Sequence, residues 1–119
     1  MSRISISGGT APVAPEQARI ECVGVNALDQ QRVDVAVDLT PCVEPLTVEL
    51  VIVAASGEEL CSVLVMRSHE WTLDKILHLR RDAEPGEYTL HVGIFRDEVL
   101  LDHAARRFAF PRPGAVGGG

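Results

Sequence analysis

Aromatic residues are scarce in this 119-residue chain, at 4%, with a single Trp and a single Tyr. So thin a supply leaves little from which to build the flat aromatic platform of a carbohydrate site. Cysteine is sparse as well. Cys22, Cys42 and Cys61 form an odd set that reads as reduced thiols and not as a disulfide framework. The expected location is therefore the cytoplasm, with an extracellular one as the alternative if a leader has been removed. The longest apolar run lies near residues 50–55, well short of the ~20 residues that span a bilayer. Positive charge is lacking too, the formal net charge being -6. The doublets Arg80-Arg81 and Arg106-Arg107 are too small to make the basic face that a nucleic acid or an anionic membrane requires, so neither is expected as a partner.

What is present is enough apolar material, 46% of residues, for one core without help from metals. The length suits a single domain. Residues 1–17 are rich in Ser, Gly, Ala and Pro, and residues 111–119 in Pro and Gly, so both are expected to be flexible tails around a folded unit at 18–110. Inside that unit the hydrophobic period is two. Val33, Val35, Val37 and Leu39 alternate with charged or small residues, as do Leu46, Val48, Leu50 and Ile52, and then Tyr88, Leu90, Val92 and Ile94. Ser56-Gly57 and Asp97-Glu98 supply turns. A first strand around Ile20 and Cys22, a strand from Leu60 to Met66, one around Leu73 and Leu77, and one from Val99 to Phe110 bring the count to seven. Strand lengths and turn spacing of this kind are those of an antiparallel all-β sandwich. Helix is expected only as a single turn near His69-Glu70-Trp71.

The last strand poses a phase conflict. Leu101 faces the core if it pairs with Ile94 across a two-residue turn, yet Phe108 and Phe110 lie in the other phase. A β-bulge between His103 and Arg107 would reconcile them. In the simplest register His91 faces the same side as Ala104. Cys22 is expected to pack as a small hydrophobe and Cys42, in a Pro-flanked loop, to be exposed.

The stretch Glu84-Pro85-Gly86-Glu87-Tyr88, before the alternating Leu90-Val92-Ile94, resembles the corner of immunoglobulin-like and fibronectin-III-like domains. In such domains a Pro-Gly turn precedes a Tyr whose hydroxyl bonds a backbone group upstream. The resemblance implies that Pro85, Gly86 and Tyr88 form a structural corner. It implies nothing about activity, because sandwiches of this type carry many functions. The antibody-type pattern of two cysteines and a Trp is not matched, since the one Trp precedes the fifth strand and the sixth carries no cysteine.

Chemistry is poorly supplied. His69, His78, His91 and His103 lack the paired short spacings of structural zinc sites, and no loop repeats oxygen ligands around a glycine, so no metal is expected. The acids Asp29, Asp34, Asp38 and Asp102 could in principle gather at a sandwich end, but no calcium site is expected there. No phosphate loop and no nucleophile–base–orienter set is present, so neither a cofactor nor an enzyme is expected. One feature remains. The hairpin from Leu46 to Met66 has apolar residues on both faces: Val51 and Val53 oppose Leu50 and Ile52, and the partner strand adds either Cys61, Val63 and Val65 or Leu60 and Leu64, depending on register. Phe95 and Leu100 lie on the same outer side. The candidate interface is Val51, Val53, Val63, Val65, Phe95 and Leu100, and the expected partner is another protein or a second copy. The alternative is a ligand-binding accessory domain of a larger or secreted assembly, with a loop-end pocket near Glu44, His69, Trp71 and Asp97. A small-molecule ligand is the less expected of the two.

Overall fold

Alternation over seven to twelve residues at a time gives each strand one dry face, and two sheets close those faces on one another. The computed structural model describes residues 11–68 and 70–111, with only the backbone of Arg67 and Ser68. Seven strands lie among them: β1 (Ile20–Ala27), β2 (Arg32–Leu39), β3 (Leu46–Ala54), β4 (Glu59–Ser68), β5 (Thr72–His78), β6 (Gly86–Arg96) and β7 (Val99–Phe110). They form a three-stranded sheet, β1-β2-β5, and a four-stranded sheet, β4-β3-β6-β7, with every pairing antiparallel. The chain is thus an all-β, two-sheet sandwich. No helix among the described residues is long and apolar enough to cross a membrane.

The core is filled by the residues whose alternation marked them. Val33, Val35 and Val37 from β2, Val48, Leu50 and Ile52 from β3, and Leu90, Val92 and Ile94 from β6 are all buried. Lys75 takes the core phase of β5 between buried Leu73 and Leu77 but reaches solvent, because β5 is the sheet edge.

Two expectations about the chain's periphery are corrected. Ordered packing begins before residue 18: Val13 bridges Cys42, donating to the Pro41 carbonyl and accepting from the Val43 amide. A 3-10 turn at Pro15–Gln17 then buries Pro15. The remaining expected tail residues, 1–10 and 112–119, lie outside the described residues, as does His69 of the expected helical turn. The cysteines exchange roles as well. Cys42 is buried under the Val13 bridge, whereas Cys22 is exposed. A bulge between Ile20 and Cys22 sets the phase of β1 so that Val23 points inward and its neighbour outward.

The bulge in β7 sits earlier than the phase conflict suggested. Arg96 pairs with Val99 and Phe95 with Leu100 across the two-residue turn, but Ile94 then pairs with Asp102. Leu101 is the extra residue, and the ladder from Asp102 to Phe110 is regular. The shift sends Phe108 and Phe110 to the inner face, where the Phe110 ring meets Tyr88 edge-on at 4.8 Å. It also puts Asp102, opposite buried Ile94, on the inner side of an edge strand. There it accepts a hydrogen bond from the Ile20 amide of β1 at 2.9 Å, tying the two sheets across their seam.

A corner precedes β6. The Tyr88 hydroxyl donates to the Glu84 carbonyl at 2.8 Å, and the ring is buried. Gly86 adopts φ 148°, which disfavours any side chain. Leu79 and Ala83, both buried, pin the preceding segment by donating to Gln31 and Gln30. Replacing Tyr88 by Phe removes one hydrogen bond while keeping the ring, and should cost about 1 kcal/mol of stability in a urea titration.

Candidate functional site: the outer face of the four-stranded sheet

The pairing registers settle which side chains share the outer face. Val51 lies between His91 of β6 and Ser62 of β4, Glu49 between Gly93 and Leu64, and Val53 beside Thr89. Phe95 follows at the end of β6, with Leu100 across the turn. Leu64 is 55% exposed, Met66 65% and Leu100 53%, on a face where a wet sheet should be polar. Val51, Val53 and Phe95 are half-buried by their neighbours.

The register also corrects both β4 members of the candidate interface. Val63 pairs with Leu50 and Val65 with Val48, so both turn inward and pack against the core, as does Cys61 opposite Ile52. Leu64 and Met66 take their place outside. Hydrophobicity alone could not distinguish the two phases, because both are apolar from Leu60 to Met66.

Gly93 lies in the middle of this face. An added Cβ would come within 3.1 Å of the Phe95 ring and 3.4 Å of Leu100, so the missing side chain is what lets the ring fold back along the strand. Beside it, His91 and His103 meet with Nδ1 and Nε2 3.1 Å apart. The simple register kept them apart; the bulge at Leu101 moves His91 opposite Ala105 and places His103, opposite Gly93, on the outer face. One imidazole must donate and the other accept, which satisfies one ring nitrogen of each. Among the described residues no cluster of three His, Cys, Asp or Glu is arranged to hold a metal.

The acids considered for a cation site are dispersed. Asp29 caps the β1–β2 turn through the Gln31 and Arg32 amides, and the Gln31 amide above all lowers its pKa, with the Arg32 side chain assisting. Asp34 lies on the outer face of the other sheet, where a hydrogen bond with Asp74 and partial desolvation raise its pKa. Asp102 belongs to the seam. The Cys61 thiol is pushed up by burial, which outweighs the nearby Arg80.

A recess of about 400 Å3 opens at one end of the same face, lined by Glu44, Pro45, Thr47, Met66, Phe95 and the turn Arg96-Asp97-Glu98. Arg96 is clamped there by Glu44 at 3.2 Å and Glu16 at 3.4 Å. Of the loop-end residues that the sequence suggested, Glu44 and Asp97 line this recess. Trp71 packs against the core instead, with its carbonyl accepting from Leu39.

No protein-family model matches the chain. No curated protein matches it either. Solved structures do. A glycosyl hydrolase family 2 member from Bacteroides cellulosilyticus superposes with a TM-score of 0.60 at 15% identity, over 82% of this chain and 16% of that one. A β-glucuronidase from Bifidobacterium dentium gives 0.57 at 13%, over 83% and 18%. One from Ruminococcus gnavus gives 0.54 at 16%, over 79% and 16%. The likeness is one of fold. This chain spans less than a fifth of the length of those hydrolases, and at such identities their activity does not transfer.

Proposed function

We propose that this chain is a non-enzymatic interaction module that buries the outer face of its four-stranded sheet against another protein chain, a second copy being the partner to test first. The observation that carries the reading is the set of apolar side chains Val51, Val53, Leu64, Met66, Phe95 and Leu100 on one sheet face, with Glu49 and the His91–His103 pair among them. Two further features support a domain of the immunoglobulin or fibronectin-III type: the three-plus-four strand order with β4 beside β3, and the bond from Tyr88 to Glu84.

The test is sedimentation velocity at micromolar concentration. Wild type should sediment as an associated species, and Val51→Lys with Phe95→Asp should halve its mass by setting charge into the buried patch. A wild type that sediments as a single chain overturns self-association.

A second reading, an accessory domain of a larger assembly with a ligand at the loop end, draws on two observations. One is the recess beside Glu44 and Asp97; the other is the match to a small part of much longer hydrolase chains. Saturable binding that Asp97→Ala abolishes, with the mass unchanged by the Val51/Phe95 pair, would favour it.

A further inference from the structure

A sandwich of this topology ends in four strand edges, and natural sheets protect such edges with charges, prolines or bulges. Three edges here are protected. β7 carries Asp102 and Arg106 in its inward phase, opposite Ile94 and Leu90, and Asp102 is spent on the Ile20 amide of β1. That bond shields the β7 and β1 edges against each other. β5 carries Lys75 in its inward phase. An inward-phase charge on an edge strand resists further pairing, because an added strand would strand the charge between sheets.

β4 differs. From Leu60 to Met66 its sequence holds no charge and no proline. Its ladder with β3 is regular from Cys61 to Val65, the register shifts falling outside that stretch. Among the described residues no strand pairs with its other side. Every second residue there points an amide and a carbonyl away from β3, an edge ready for strand addition.

We propose that this edge pairs with β4 of a second copy, antiparallel about a two-fold axis through Val63, to give a continuous eight-stranded sheet. Symmetry restricts the register. Both strands must present edge groups in the same phase, so the axis passes through a residue and not between two. Val63 is the centre of the regular stretch. With the axis there, Cys61 lies opposite Val65 of the second copy and Ser62 opposite its Leu64, all uncharged pairs. The contact is independent of the sheet face: two distinct two-fold contacts build a four-copy assembly, in which edge pairing also doubles the apolar outer face.

Sedimentation velocity of the full chain tests this with two double variants at exposed Ser62 and Leu64, each made on the Val51→Lys/Phe95→Asp background, because Leu64 also belongs to the outer face that this background disables. The background alone should sediment as the edge-paired dimer. Adding Ser62→Lys with Leu64→Lys sets like charges directly opposite in both symmetric pairs and should leave single chains. Adding Ser62→Glu with Leu64→Lys instead sets opposite charges there and should keep the dimer. A background that is already a single chain, a Lys/Lys variant that stays dimeric, or a Glu/Lys variant that behaves like Lys/Lys overturns edge pairing. A background at the wild-type mass overturns face pairing instead, so loss of either contact is recognised separately.

Discussion

Leu50→Ala is expected to lower the unfolding free energy by about 2–5 kcal/mol, a large part of the ~5–15 kcal/mol that a domain of this size has. Leu50 is fully buried, on the strand that is paired on both sides, opposite Val63 of β4 and Val92 of β6. The lost transfer energy is one part of the cost. The other is the cavity, whose walls are held apart by two backbone ladders and so collapse little. That argues for the upper half of the range. The measurement is a urea titration, in which the midpoint should fall while the m-value stays constant. A midpoint near that of wild type would mean that the centre of β3 relaxes freely, contrary to its double pairing.

Asp102→Ala is expected to cost about 1–3 kcal/mol, the penalty for leaving a partly buried donor unsatisfied. Among the described residues the Ile20 amide has no ladder partner on that side, since β1 is a sheet edge, and Asp102 is its acceptor at 2.9 Å. Asp102→Asn keeps an acceptor oxygen and should cost less, which separates the hydrogen bond from the volume of the side chain. Native-state hydrogen exchange gives the sharper readout. The Ile20 amide should exchange much faster in the alanine variant while the amides of β3 keep their protection. Equal acceleration everywhere would mean that the seam has no local role.

These two residues also mark what was legible in the sequence. Leu50 was plain, because strict alternation in a strand with one dry face leaves no choice of which residues go inside, and the same holds for Val33 to Leu39 and Tyr88 to Ile94. The corner at Pro85-Gly86-Tyr88 was legible for a different reason: its residue types are demanded by local backbone geometry. Asp102 was not legible as a seam residue. The parity conflict between Leu101 and Phe108 required one extra residue, but parity says nothing about where along a strand that residue falls. Placing it at Leu101 turned Asp102 inward and brought His103 beside His91. The β3–β4 register had the same weakness in another form. With both phases of β4 apolar, only cross-strand pairing could decide that Val65 faces in and Leu64 out. Cys22 and Cys42 were misplaced because a bulge and a bridge from Val13, neither signalled by composition, set their exposure.

The bond between Asp102 and Ile20 has a mechanical consequence. β1 begins beside Leu39 and Asp102, whereas β7 ends beside Gly86, at the opposite end of the sandwich. Tension applied at Ile20 and Phe110 would therefore draw β1 and β7 along their own lengths, loading their ladders with β2 and β6 in shear. Bonds loaded in shear share the force and fail together, where a peeled hairpin opens one rung at a time. The carboxylate at the seam lies at the point where β1 takes up that load.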